Sequence, residues 1–138
     1  MFWALFLLIL CYLIGSVPSG VVVARRLKGV DLRKVGSGNV GAANAYRALG
    51  ARGGLLVLAL DALKGVLAVF LAYMTLLPGF LLPIAKVVFG LTAIVGHNYS
   101  VFLRFKGGKG IATSFGVLLA LSPKVAFLVL LLWIGLVA

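Results

Sequence analysis

Apolar and polar positions fall along this chain in long blocks. Residues 2–24, FWALFLLILCYLIGSVPSGVVVA, carry no charge, and about 20 apolar residues cross a bilayer as a helix. Comparable blocks run from about 55 to 77 and from 81 to 103; the first holds Asp61 and Lys64, the second Lys86. A fourth, 111–138, is interrupted near Pro123. Residues 111–121 make roughly 16 Å of helix, too short to cross. The fourth block is therefore either one long helix broken near Pro123, or a half-span followed by a second span. Pro18 and its flanking glycines and serines predict a kink in the first span, tolerated in lipid only where protein or water satisfies the freed backbone groups. The pattern predicts an all-α fold: a polytopic transmembrane helical bundle with glycine-rich loops, forming a single integral membrane domain over 1–138.

Composition supports the membrane reading. The chain is 64% hydrophobic with mean hydropathy +1.25. Charged residues are 11%, against roughly 25% in soluble domains. Thirteen Lys and Arg face two acids, Asp31 and Asp61. On a soluble protein that imbalance would suggest nucleic acid. Here ten of the thirteen bases lie in 25–54 and 104–110, flanking spans, so the positive-inside rule puts both loops on the cytoplasmic side. The N-terminal apolar run has its charges after it, at Arg25 and Arg26. That is the reverse of a secretory signal and predicts a retained first span with its N-terminus outside. The lone Cys11 supports no intrachain disulfide and no metal cluster. The expected partner is the lipid bilayer, without nucleic acid, metal or cofactor.

Two glycine-rich loops carry the candidate chemistry. In KGGKGIATS, residues 106–114, Gly107, Gly108 and Gly110 let backbone amides approach an anion. A helix starting near Ile111 would point its free N–H groups and positive dipole end at that loop. Lys106 and Lys109 add charge, and Thr113 and Ser114 add hydroxyls. A Walker loop would need Ser or Thr after its lysine; Gly110 follows Lys109. The plain alternative is a basic turn that only sets topology. In GSGNVGAANAYR, residues 36–47, Gly36, Gly38 and Gly41 spell G-x-G-x-x-G, and Asp61 falls 20 residues later. A dinucleotide fingerprint fails, because no apolar strand precedes Gly36 and Asp61 lies in a span. What remains is a glycine loop bearing Ser37, Asn39, Asn44 and Arg47, whose guanidinium forks onto phosphate. A nucleophilic serine needs an adjacent base that this loop does not supply, so Ser37 reads as a ligand to phosphate. A connector with incidental polar residues is the alternative.

Asp61 and Lys64, at i and i+3, can meet on one helix face. An ionisable pair inside a span suggests function; mutual neutralisation is the structural alternative. His97, the only histidine, precedes Asn98 at the end of the third span. It reads as a general base, a phosphate donor, or a hydrogen-bonded packing residue. Tyr99, Phe102 and Phe105 read as an interfacial aromatic belt.

Taken in order, GSVPSG, DLRKVGSGNVGAANAYRALG, DALKGVLAV and GHNYSVFLRFKGGKGIATSFG resemble the bacterial PlsY-type acyl-phosphate:glycerol-3-phosphate acyltransferases. The resemblance covers nearly all of the chain up to about Gly116. It implies an enzyme of the bacterial inner membrane that moves a fatty acyl group from acyl phosphate to the 1-hydroxyl of glycerol 3-phosphate. The products are lysophosphatidic acid and phosphate, the first acylation of phospholipid synthesis. Ser37 and Arg47 match the family's essential serine and arginine, and Lys106–Gly110 its phosphate-binding segment. There are two departures. Ala43 stands where the family usually has threonine. The family also continues into a further span and an RHxxNIxRL-like segment with a functional His and Asn, whereas this chain stops at Ala138 within an apolar run. A C-terminally truncated sequence is therefore expected.

The candidate catalytic residues are thus Ser37, Arg47 and His97. The candidate substrate ligands are Gly36, Gly38, Asn39, Gly41, Asn44, Lys64, Asn98, Lys106, Gly107, Gly108, Lys109, Gly110 and Thr113. Direct acyl transfer without an acyl-serine is expected. An anion carrier should instead gather its polar groups at mid-bilayer and show related halves. A purely structural subunit has no use for cations clustered around glycines.

Overall fold

The structure, a computed structural model, describes residues 2–137. Among the described residues there are seven α-helices, joined in places by short 3-10 turns: α1 (Phe2–Ser16), α2 (Ser19–Lys28), α3 (Ala42–Leu49), α4 (Ala51–Leu71), α5 (Leu82–Asn98), α6 (Ile111–Leu121) and α7 (Pro123–Val137). No strand occurs among the described residues. Three stretches are long and apolar enough to cross a membrane: Phe2–Lys28, Ala51–Met74 and Gly79–Leu103. Spans near 2–24, 55–77 and 81–103 are expected from the sequence. The second starts earlier than its composition suggests, because Arg52 joins the helix.

The first stretch breaks where Pro18 has no N–H to give. Pro18 sits at φ −84°, ψ 70°, and Ser19 N–H bonds to the Val17 carbonyl at 2.9 Å, an inverse γ-turn. Two carbonyls at the break find side-chain donors. Ser100 Oγ donates to Ser16 O at 2.5 Å and Lys64 Nζ to Val17 O at 2.6 Å. Ser16 Oγ in turn donates to Gly96 O at 3.2 Å. The break is thus stitched to α4 and to the end of α5, as a break within lipid requires.

The core has two parts. Leu7, Cys11, Ala68, Ala72, Ala85, Phe89 and Ala93 join α1, α4 and α5. Val23, Ala24, Leu32, Ala45 and Val57 join α2, α3 and α4 beneath the first glycine loop. The α4–α6 contact is the most extensive in the chain. A side chain at Gly116 would run into the Ala62 carbonyl, and one at Gly65 into the Thr113 carbonyl. Such close backbone approach is the usual packing device of membrane helices.

The fourth apolar block is two helices. Ser122 is extended at φ −154°, ψ 93°, and α7 packs chiefly along α6. Among the described residues of α7 only Ala126 is buried; Phe127, Leu128, Leu132 and Leu136 are exposed. Lys86 places its ammonium 4.2 Å from the centre of the Tyr73 ring, while Tyr99, Phe102 and Phe105 are exposed at the other end of the third stretch.

Candidate functional site

The first glycine loop is organised from below by one side chain. Asn44 is 1% exposed. Its amide nitrogen donates to the carbonyls of Leu32, Val35 and Asn39 at 2.8–3.1 Å, and its Oδ1 accepts from the Ser37 N–H at 3.1 Å. Asn39 Oδ1 accepts from Gly41 N–H at 2.8 Å just before α3. Gly36 lies at φ +57°, and a Cβ there would collide with Asn44 Oδ1. Gly38 is also left-handed, at φ +70°. The result presents Ser37 on an exposed turn and Arg47 on α3.

The second loop folds back over the end of α5. Arg104 and Phe105 adopt φ of 54° and 62°, uncommon for side-chain-bearing residues. Gly107 N–H bonds to Asn98 O at 3.0 Å, and Gly108 N–H to His97 O at 3.1 Å. These carbonyls are among those left free at a helix C-terminus. Side chains at 107 or 108 would strike the His97 carbonyl or its ring. Both amides are therefore engaged in holding the turn rather than free to meet a phosphate. Gly110, at φ +73°, starts α6.

Between the loops lies a cavity of about 420 Å³. Ser37, Asn39, Gly41, Asn44 and Arg47 line it from the first loop and α3, and Lys109 and Gly110 from the second. Asp61 and His97 form part of its wall, and Leu58, Ile111, Ala112 and Trp133 supply apolar surface. Gly36, Gly38, Lys106, Gly107, Gly108, Asn98 and Thr113 are not among its lining residues. Thr113 is fully buried, and its Oγ1, like Asn98 Oδ1, has no hydrogen-bond partner among the described residues. Lys64 is also absent from the lining; its ammonium is held by Asp61 Oδ1 and Val17 O, each at 2.6 Å.

A smaller polar cavity of about 10 Å³ lies behind this wall, lined by Ser16, Ser19, Asp61, Lys64, His97 and Ser100, among others. Trp133 and Leu58 carry no sequence signal for their place in the site. They are apolar residues of apolar segments, and only tertiary structure brings them there.

The charges around the larger cavity do not balance. Asp31 is taken by Arg33 at 2.6 Å and Arg25 at 3.1 Å. Its hydrogen bonds with Arg33 chiefly hold that carboxyl well below the usual carboxylate range, and the Arg33 guanidinium is correspondingly raised. Asp61 is taken by Lys64. The chain has no other acid, so Arg47 and Lys109, which line the cavity with the already paired Asp61, have no salt-bridge partner among the described residues. No group of three potential metal ligands occurs among the described residues.

Residues 5–138 match the family model described as glycerol-3-phosphate acyltransferase. The chain belongs to that family. It is 51% identical to glycerol-3-phosphate acyltransferase 2 of Moorella thermoacetica over 94% of its own length, 50% identical to the Aquifex aeolicus glycerol-3-phosphate acyltransferase over 96%, and 55% identical to that of Thermus thermophilus over 89%. It spans 64%, 67% and 59% of these relatives' lengths. The crystal structure of PlsY, an integral membrane glycerol 3-phosphate acyltransferase, in its glycerol 3-phosphate form, superposes with a TM-score of 0.82 at 50% identity, covering 96% of this chain and 64% of that one. The lysophosphatidic acid form gives 0.81 at 48% identity. With its three long apolar helical stretches, this family member is a multi-pass integral membrane chain.

Proposed function

We propose that this chain carries the site at which a fatty acyl group passes from acyl phosphate to the 1-hydroxyl of glycerol 3-phosphate, giving lysophosphatidic acid and phosphate. The observation that carries the reading is the pairing of Arg47 and Lys109 on one cavity, each without a salt-bridge partner among the described residues. A dianionic reactant supplies the missing charge. Two phosphorylated reactants account for two basic loops on one face.

In this reading Arg47, Ser37 and Asn39 hold glycerol phosphate, Arg47 as the bidentate fork. Lys109, the start of α6 and the nearby Lys106 attract the acyl phosphate, whose tail follows the apolar wall of Leu58, Ile111 and Trp133. The hydroxyl oxygen attacks the acyl carbonyl carbon, the acyl–oxygen bond to phosphate breaks, and phosphate leaves with that electron pair. An acyl phosphate is already activated, so positioning and charge stabilisation suffice. No acyl-serine forms at Ser37. The positive-inside pattern puts both loops on the cytoplasmic face of the bacterial inner membrane and the N-terminus outside. Incubating the purified chain in bilayers with acyl phosphate and glycerol 3-phosphate tests the proposal. Lysophosphatidate and phosphate in equal amounts are expected; a folded chain that makes neither, or an acyl group trapped on Ser37, contradicts it.

A further inference from the structure

Six exposed bases line neither cavity: Arg25, Arg26, Lys28, Arg33, Lys34 and Arg52. They belong to the end of α2, the turn after it and the start of α4. Lys28 Nζ donates to Ala48 O at 3.0 Å, which ties the end of α2 to the end of α3, just before α4 begins. Asp31, the one acid among them, takes Arg25 and Arg33. Arg26, Lys34 and Arg52 have no salt-bridge partner among the described residues.

Arg26 and Arg52 differ from Lys34 in what lies next to them along their helices. Residues three and four apart share a helix face. Val22, four residues before Arg26, is 44% exposed; Leu55 and Leu56, three and four after Arg52, are 63% and 44% exposed. All three lie in membrane-spanning stretches, where exposed aliphatic side chains meet lipid tails. The two helices are in contact. Each therefore turns an apolar face to lipid and ends that face on a guanidinium, at the membrane surface that carries the loops. Arginine stems lie along apolar surface while the heads reach the polar layer. The guanidinium fork matches phosphate oxygens, and bases just cytoplasmic of a span draw anionic lipid.

We propose that this edge of α2 and α4 is a docking surface for anionic phospholipids of the cytoplasmic leaflet. Their phosphodiester headgroups sit against Arg26 and Arg52, and their acyl tails lie along Val22, Leu55 and Leu56. Charge selects the occupant. A zwitterionic headgroup also presents an ammonium, which a patch of six bases and one acid repels; an anionic headgroup does not. An acidic peptide would meet the arginines and leave the aliphatic face beside them uncovered, whereas a lipid covers both. The surface is separate from the cavity of Arg47 and Lys109 and does not rest on the acyltransfer reading.

The test places the chain in phosphatidylcholine bilayers with a trace of spin-labelled phosphatidylglycerol or spin-labelled phosphatidylcholine. Electron spin resonance reads the share of label immobilised at the protein. At low salt, phosphatidylglycerol is expected to associate at least about twofold more strongly than phosphatidylcholine, with the preference falling as salt screens the headgroups. In Arg26→Gln/Arg52→Gln, with helical content unchanged by circular dichroism, the preference is expected to fall toward parity. Equal association of the two lipids with the wild-type chain overturns the proposal without any variant, and so does a folded double variant whose preference is unmoved. Saturating glycerol 3-phosphate is expected to leave the preference in place. Its disappearance would put the lipid in the cavity instead and overturn the proposal. A chain that keeps the preference but transfers no acyl group would count against the acyltransfer reading alone.

Discussion

Replacing Lys64 by methionine keeps most of the side-chain volume and removes the charge. The carboxylate of Asp61, with 3% of its side chain exposed, then loses its ion-pair partner at 2.6 Å. Val17 O loses one donor but keeps the Ser19 N–H, so little of the cost arises there. Removing one member of a buried pair costs about 3–5 kcal/mol, because the other charge stays buried and unmatched. Replacing both members by apolar residues of similar size is often neutral or better. Lys64→Met is therefore expected to lose about 3–5 kcal/mol, and Asp61→Leu/Lys64→Met to recover at least about 2 kcal/mol of that. The assay is denaturant unfolding in detergent micelles, followed by the fluorescence of the chain's two tryptophans. A loss under about 1 kcal/mol for the single variant, or a double variant no more stable than it, would refute the reasoning and show the pair to be solvated.

Three further outcomes follow from the loops and the helix contacts. Gly36→Ala places a side chain in the left-handed region, at about 1–2 kcal/mol, and against the Asn44 oxygen that accepts from Ser37 N–H; weaker glycerol 3-phosphate binding in titration calorimetry is expected. Gly116→Ala overpacks the α4–α6 contact at the Ala62 carbonyl and should cost about 1–3 kcal/mol, read as a lower melting temperature. The Arg33 hydrogen bonds hold the folded-state pKa of Asp31 below the ordinary carboxylate range, so its contribution is present above the unfolded-state pKa and lost as pH falls through the lower, folded one. Exchange protection of the Arg33 amide, which donates to Asp31 at 3.1 Å, should persist through pH 4, weaken only in stronger acid, and be lost across the range in Asp31→Ala.

What the sequence made legible was local. The charge-free run before Arg25, the missing amide of Pro18 and the i, i+3 spacing of Asp61 and Lys64 each act within a few residues. The kink and the pair stand where those patterns put them. Contacts between distant segments were not legible. The second partner of Lys64 is a carbonyl 47 residues away, and nothing near position 64 announces it. Asn44 reads as a ligand, yet its amide is engaged by Leu32, Val35 and Asn39, because α3 forms within what composition shows only as a polar loop. Gly107 and Gly108 read as an amide cradle, but the chain doubles back at Arg104 and Phe105 and aims those amides at α5. The choice left open at Pro123 turned on Ser122, whose extended backbone is what a following proline favours, but how far α7 then turns from α6 depends on packing that local sequence does not show.

The central claim is that Arg47 and Lys109 face one cavity as unmatched cations that an anionic reactant completes. Titrating glycerol 3-phosphate into the bilayer-embedded chain and into Arg47→Gln tests it most directly. A hydrogen bond to a charged group is worth about 1.5–3 kcal/mol, and about 1.4 kcal/mol is tenfold in affinity. The account predicts at least about tenfold weaker binding in the folded variant; an unchanged dissociation constant would contradict it.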